Sequence, residues 1–170
     1  QIRGIGTAGT GRSFEGAVGV FIDGVYRTRA GQALQTFLDI DNLQILRGPQ
    51  GTLFGKNTSA GALLMTSKAP ALNAFEASGE ATYGNYNYYV IRGAVTLPVG
   101  DDAAFRVAAV STKRDGFIKD VNSDRTYQGF NTQAIKAQFL AERGDVTVRL
   151  IAVYAHDRTS CCFGAVLVQG

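Results

Sequence analysis

Few stretches of this chain carry residues of the kind that do chemistry. Gly51-Thr52-Leu53-Phe54-Gly55-Lys56-Asn57-Thr58 has the glycines and lysine of a phosphate-binding loop. Such a loop needs about four residues between its glycines and a Ser or Thr straight after the lysine, whose hydroxyl holds magnesium. Here three residues intervene and Asn57 follows Lys56, so nucleotide binding is not expected. Asp23, Asp39 and Asp41 lack EF-hand spacing. They read as caps and turn acceptors, and no metal site is expected. The one histidine, His156, has no nucleophile or second histidine near it in sequence, and general acid–base work needs such partners within reach. With Asp157 it is expected to open a loop, where it would be a candidate ligand contact. Cys161 and Cys162 are adjacent, which fits no zinc or redox spacing. A strained vicinal disulfide, pairing with cysteines beyond Gly170, and reduced thiols all stay open. Arg143-Gly144-Asp145 fits an adhesion tripeptide, and a hairpin turn explains it better. No catalytic constellation emerges, so the chain is read as no enzyme, with no cofactor.

The elements that position these residues come in two rhythms. The chain has 170 residues, 45% of them hydrophobic and 18% charged, with 21 glycines and 3 prolines. Apolar residues are spread along its length, which argues against disorder. The net charge of +3 is mild and the cations are scattered singly, so nucleic acid is not an expected partner. No apolar run is long enough for a transmembrane helix. Strands of a membrane barrel need only about 9–11 residues each and would escape that test. Gln1-Ile2-Arg3-Gly4 has neither a basic nor an apolar leader, and the chain is expected to be cut at both ends.

Up to the break at Lys68-Ala69-Pro70-Ala71-Leu72-Asn73 the segments are short and glycine-punctuated. Val18–Ile22, Asp23-Gly24 and Val25-Tyr26 predict a hairpin, because Asp-Gly suits a two-residue turn. Gln35–Leu38 reads as a helical turn, Leu43–Leu46 and Ser59–Thr66 as strands, and Arg47–Gly51 as a turn cluster. This half is expected to be a small α+β unit. After the break, period-two alternation predicts strands near 74–83, 87–98, 103–113, 132–142 and 145–156. One face collects Tyr89, Ile91, Val95, Leu97, Phe105, Val107, Ile135, Phe139, Val148 and Leu150. The other holds single polar or charged residues such as Thr96, Arg106, Lys136 and Arg149. Short turns at Pro98–Asp102 and Arg143–Asp145 alternate with a long polar stretch, Arg114–Asn131, and an irregular one from His156. That parity fits an outer-membrane barrel, although the connection Gly84-Asn85-Tyr86 is short. A soluble antiparallel meander has the same alternation, and the tyrosines at strand ends (Tyr83, Tyr86, Tyr88, Tyr89, Tyr154) favour an aromatic girdle.

Three blocks of the first half closely resemble the plug of TonB-dependent outer-membrane receptors. They are Ile2-Arg3-Gly4, Val20-Phe21-Ile22-Asp23-Gly24-Val25-Tyr26, and the long block Leu46-Arg47-Gly48-Pro49-Gln50-Gly51-Thr52-Leu53-Phe54-Gly55-Lys56-Asn57-Thr58. Gly61-Ala62 and Ser67-Lys68 follow in the family's manner. Tyr83-Gly84-Asn85-Tyr86 and Arg114-Asp115-Gly116-Phe117 are similar to segments of its early barrel. Ala60 and Leu64 depart from the family, which usually has Gly and Asn there.

The resemblance implies an α+β plug domain over 1–70 (its C-terminal part) followed by antiparallel transmembrane β-barrel strands over 71–170, an incomplete barrel. It implies active uptake of a scarce ligand, such as an iron-siderophore, across the outer membrane of a Gram-negative bacterium, with the plug gating the barrel. The implied partners are the TonB-ExbB-ExbD complex (the TonB box is absent here), a metal chelate or oligosaccharide, and outer-membrane lipid. Arg3 and Arg47 would form plug–barrel ion pairs with glutamates beyond Gly170. Arg27, Arg29, Lys56, Asn57 and His156 are candidate ligand contacts. The rival readings are a passive or structural outer-membrane barrel and a soluble β-rich binding module.

Overall fold

The computed structural model describes residues 16–28, 37–119 and 126–159. They fall in two compact units, Gln1–Lys68 and Ala69–Gly170.

In the first unit, strands β1 (Val18–Ile22), β2 (Val25–Tyr26), β3 (Ile40–Arg47) and β4 (Gly61–Ser67) form one sheet in the order β2-β1-β4-β3. A short helical turn, α1 (Gly51–Phe54), lies between β3 and β4. The expected hairpin forms: Ile22 pairs with Val25, and Asp23 and Gly24 take φ of +51° and +77°. Two left-handed central residues give the turn whose twist matches the flanking strands. β4 runs parallel to β1 and antiparallel to β3. Flanked on both sides, it is the most buried strand, and Ala62, Met65 and Ser67 are sealed from solvent. Its small residues allow that enclosure. At its end the Ser67 N–H and hydroxyl donate to the two Asp23 carboxylate oxygens, both at 2.7 Å, while the Asp23 N–H donates to the Met65 carbonyl. One aspartate therefore ties the hairpin turn to the last residue of the central strand.

The second unit is a five-stranded antiparallel meander, β5 (Glu76–Gly84), β6 (Tyr88–Val99), β7 (Ala103–Arg114), β10 (Phe130–Arg143) and β11 (Val146–Thr159). The predicted strands match these within a few residues. Between β7 and β10 stands a two-stranded hairpin, β8 (Ile118–Lys119) with β9 (Thr126–Tyr127). β5 and β11 are the edges, so the described strands do not close a barrel. Its turns are tight at one end, where Gly100 and Gly144 take φ of +68° and +60°. At the other end Tyr86 and Asn87 are both left-handed and the Tyr88 N–H reaches the Asn85 carbonyl, which makes Asn85–Tyr88 a closed two-residue turn. That accounts for the one short connection on the side of the long loop.

The registers assign every side chain to a face. Leu97, Phe105, Phe139 and Leu150 stand in one row across four strands, and Val95, Val107, Ala137 and Ala152 in the next. This face is solvent-exposed: Ile91 is 58% exposed, Leu97 52% and Leu150 62%. Thr96, Arg106, Lys136 and Gln138 belong to the opposite face and are buried. A sheet of a water-soluble domain packs the apolar face inward. Here the polarity is inverted.

Three expectations change. His156 does not open a loop, because β11 continues to Thr159 and pairs His156 with Gln133. Phe37 and Leu38 are not helical, and Gln35 and Thr36 lie outside the described residues. The stretch after Arg114 is partly a hairpin, because Gly116 and Gly129 cross so closely that a Cβ on Gly116 would sit 2.5 Å from the Tyr127 carbonyl oxygen. Polar composition hid that contact, which only glycine permits.

Replacing Gly19 by Ala should destabilise the first unit by about 1–3 kcal/mol. The added Cβ would lie 2.5 Å from Thr58 Cγ2 and 3.0 Å from Phe21 Cε2, and Thr58 is fixed by donating its hydroxyl to the Gly55 carbonyl at 2.7 Å. Thermal unfolding checks this, and an unchanged midpoint would show that the contact relaxes freely.

Candidate functional site

The long block that carries the resemblance folds as a loop pinned at several points. The Gly48 N–H donates to the Ala60 carbonyl and the Gln50 N–H to that of Thr58, which closes the loop at its neck. α1 brings Phe54 against Phe21 of β1, with ring centroids 5.0 Å apart, and Phe21 in turn meets Tyr26 at 5.4 Å. Each such aromatic pair contributes roughly 0.5–1.5 kcal/mol beyond its burial. Asn57, left-handed at φ +64°, donates from its amide to the Tyr26 hydroxyl at 3.0 Å. The loop and the hairpin are therefore one packed piece. Asn57, which follows Lys56 in the chain, thus sits beside Tyr26, one residue before Arg27. Arg27 and Lys56 are exposed and Asn57 is half-buried. Arg47 is exposed at the end of β3, and its carbonyl accepts from the Gln50 amide at 3.4 Å. Arg3, Arg29, Cys161 and Cys162 lie outside the described residues.

In the second unit the buried polar face forms a row at one level. Glu76, Thr96, Arg106 and Gln138 are successive cross-strand partners on β5, β6, β7 and β10. Arg106 donates from Nη1 to Thr96 Oγ1 at 2.7 Å and faces Glu76 Oε2 at 3.4 Å. Arg149 of β11 donates from Nε and Nη2 to Gln138 Oε1, at 3.2 and 2.6 Å. A buried guanidinium needs such partners, since an unpaired one would cost several kcal/mol (about 3–5). Sequence reasoning noticed Arg106, Lys136 and Arg149 only as single charges. Their cross-strand alignment was missed, since it depends on register.

A second cluster caps the loop end. The Arg114 guanidinium lies over Phe117 (5.2 Å) and Phe130 (4.9 Å) and donates to the Gln128 carbonyl at 3.3 Å. Asp115 accepts from the Asn87 amide at 2.7 Å and faces Lys113 at 3.4 Å, and its N–H donates to the Tyr86 carbonyl. The Asn87 hydrogen bond, assisted by the Lys113 charge, holds the Asp115 carboxyl below the ordinary carboxylate value, with partial desolvation opposing. His156 lies elsewhere, opposite Gln133 on the apolar side of β11. Among the described residues no group of His, Cys, Asp and Glu could hold a metal ion. Nor is any described helix long and apolar enough to cross a membrane, which says nothing of β-barrels.

Residues 1–62 match the family described as TonB-dependent Receptor Plug Domain. Over 70 residues, 41% of this chain, the sequence is 32% identical to the pesticin receptors of Yersinia enterocolitica and Yersinia pestis. Residues 1–62 carry the plug domain of TonB-dependent receptors. The matched stretch spans 10% of the length of those pesticin receptors. Two solved structures share the fold. The ferric yersiniabactin uptake receptor FyuA of Yersinia pestis superposes with a TM-score of 0.73 at 20% identity, over 85% of this chain and 23% of that one. The pyoverdine outer membrane receptor FpvA of Pseudomonas aeruginosa gives 0.62 at 15% identity, over 82% and 20%. In both, the superposition takes in residues from each unit, since neither unit alone makes up so large a share of the chain.

Because the folded value of Asp115 is depressed, its contribution is present above the unfolded carboxylate pKa. It is lost as pH falls through the lower folded value, in the acid range below 3.8. Replacing Asn87 by Ala removes the largest cause and should move the Asp115 titration upward, read by NMR of its labelled carboxyl. An unmoved titration would assign the depression to Lys113 instead.

Proposed function

We propose that this chain is part of an uptake receptor in the outer membrane of a Gram-negative bacterium, with residues 1–70 in the plug and 71–170 forming the first barrel strands. The observation that carries the reading is the inverted sheet. Apolar rows are exposed and the buried row is charged, which suits strands with lipid outside and a polar lumen inside. Four successive rows, from that of Gly93 to that of Val99 on β6, carry no charged side chain, and the rows of Ile91 and Tyr89 beyond them turn polar. The match of residues 1–62 to the plug family supplies the other half of the argument.

The cargo in this reading is a scarce iron-siderophore, on the strength of the ferric yersiniabactin and pyoverdine receptors that share the fold. Uptake is energised by TonB-ExbB-ExbD, and the plug gates the passage without covalent chemistry. The Arg27 side of the hairpin, together with Arg29, Lys56 and Asn57, is assigned to the ligand side. Arg3 and Arg47 are assigned to carboxylates of the barrel, with Arg47 exposed at the end of β3 where its guanidinium is open to a forked bond.

The decisive experiment expresses the full-length receptor carrying this sequence in an iron-starved strain without its own copy. Ferric-siderophore uptake should appear only when TonB is present. Uptake that persists without TonB would sink active transport and leave a passive pore. A second expectation concerns the belt. Replacing Val107, 43% exposed in mid-row, by Arg should lower folding into lipid vesicles by about 2–4 kcal/mol. The heat-dependent gel shift of folded barrels reads this, and a variant folding as well as the parent would argue against a lipid-facing row.

A further inference from the structure

Chain connectivity sets the direction in which the parallel pair of the first unit would be loaded. β1 and β4 lie side by side and run the same way, with Val18 opposite Gly61 and Ile22 opposite Met65. The chain enters β1 at Val18 and leaves β4 at Ser67, from which it runs on to β5. A pull from the N-terminal side, resisted from the β5 side, therefore draws the two strands along their axes in opposite directions. That is shear, in which the evenly spaced bonds of a parallel ladder share the load. A pull on two neighbouring ends would open the same bonds one at a time. β2, β3 and α1 all lie between the two points of load and take up none of it until the pair parts.

We propose that the β1–β4 pair is a load-bearing clamp, and that the contact between Asp23 and Ser67 sets the force at which it releases. The inference rests on the uptake reading, which supplies both the pull, from TonB, and the anchor, barrel strands held in the membrane. Both ends of the pair are fastened beyond the strand register. At one end the Ala60 N–H donates to the Ala17 carbonyl at 2.9 Å. At the other the Asp23 N–H donates to the Met65 carbonyl at 2.9 Å, and the Asp23 carboxylate takes the Ser67 N–H and hydroxyl, each at 2.7 Å. Bonds to an ionised acceptor are roughly twice as strong as neutral ones. Ser67 is 1% exposed, so water competes little for the contact. It is also the last residue of β4, where the load enters the strand. A two-residue hairpin turn needs only the left-handed backbone of its central residues. A carboxylate that reaches from that turn to the end of a parallel strand fastens a second element as well. Below the release force the stretch from Val18 to Ser67 stays folded while TonB pulls.

The test pulls the full-length receptor, held in a lipid bilayer, through a TonB C-terminal domain fixed to a force probe. Release of the clamp should appear as one discrete event that frees the chain from Val18 to Ser67, about 170 Å of extended length. Ser67→Ala removes one bond of the contact. Asp23→Asn removes its charge and keeps a residue that tolerates the left-handed turn. Each should shorten the lifetime before that event, at a fixed load, by about tenfold, as expected for one charge-assisted hydrogen bond lost from the barrier. Thr66→Ala, one residue earlier and exposed, should leave the lifetime unchanged. Unchanged lifetimes in both Ser67→Ala and Asp23→Asn overturn the inference, as does gradual lengthening of the parent in which the same stretch comes off in small steps. Recovery of each variant from the outer-membrane fraction with a normal gel shift shows that it folded. A parent receptor that TonB never grips would remove the uptake reading itself, a result distinct from a tethered receptor that yields without the event.

Discussion

Backbone pairing in the five-stranded sheet fixes which side chains share a surface. Each residue is locked opposite a partner, so period-two alternation becomes two whole faces with no freedom to trade members. One face gathers Leu97, Phe105, Phe139 and Leu150, with the Phe105 and Phe139 rings 4.7 Å apart. The other gathers Glu76, Thr96, Arg106 and Gln138. A one-residue slip of any strand would thrust a charge among the aromatic and aliphatic rows. The rest of the unit follows from that constraint. Its turns must return each strand in register, and its polar residues must find partners with one another, as Arg106 and Arg149 do.

The first unit meets a different demand. Its sheet is small, and much of its order comes from a loop pinned by close contacts rather than by a large core. Gly19 makes room for Thr58, Phe54 leans on Phe21, and Asn57 reaches Tyr26. These contacts join the hairpin and the long block into one body, and Asp23 joins that body to the end of β4.

At the loop end, neighbouring connections are coupled in the same way. Asp115 bridges the Asn85–Tyr88 turn and the start of the β8–β9 hairpin, and Arg114 lies between two phenylalanine rings at its base. The hairpin base is therefore held by contacts within the unit itself.

Much of this was legible in the residues. Alternation placed the five strands within a few positions, Asp23-Gly24 announced its hairpin, and the block from Leu46 to Thr58 pointed to a plug. These signals are local, because strand period and turn chemistry depend on neighbours in the chain. The sequence could not choose between a soluble meander and a barrel wall, since both alternate alike. Burial separates the two patterns, since Thr96, Arg106, Lys136 and Gln138 are enclosed while Ile91, Leu97 and Leu150 stand open. Nor could the sequence align Arg106 with Glu76, because cross-strand neighbours are set by register between distant segments. His156 makes the same point: its polar neighbours suggested a loop, while pairing with Gln133 extended the strand through it. Composition and period were fixed along the chain, and partnership across strands was decided only when tertiary hydrogen bonding set the registers.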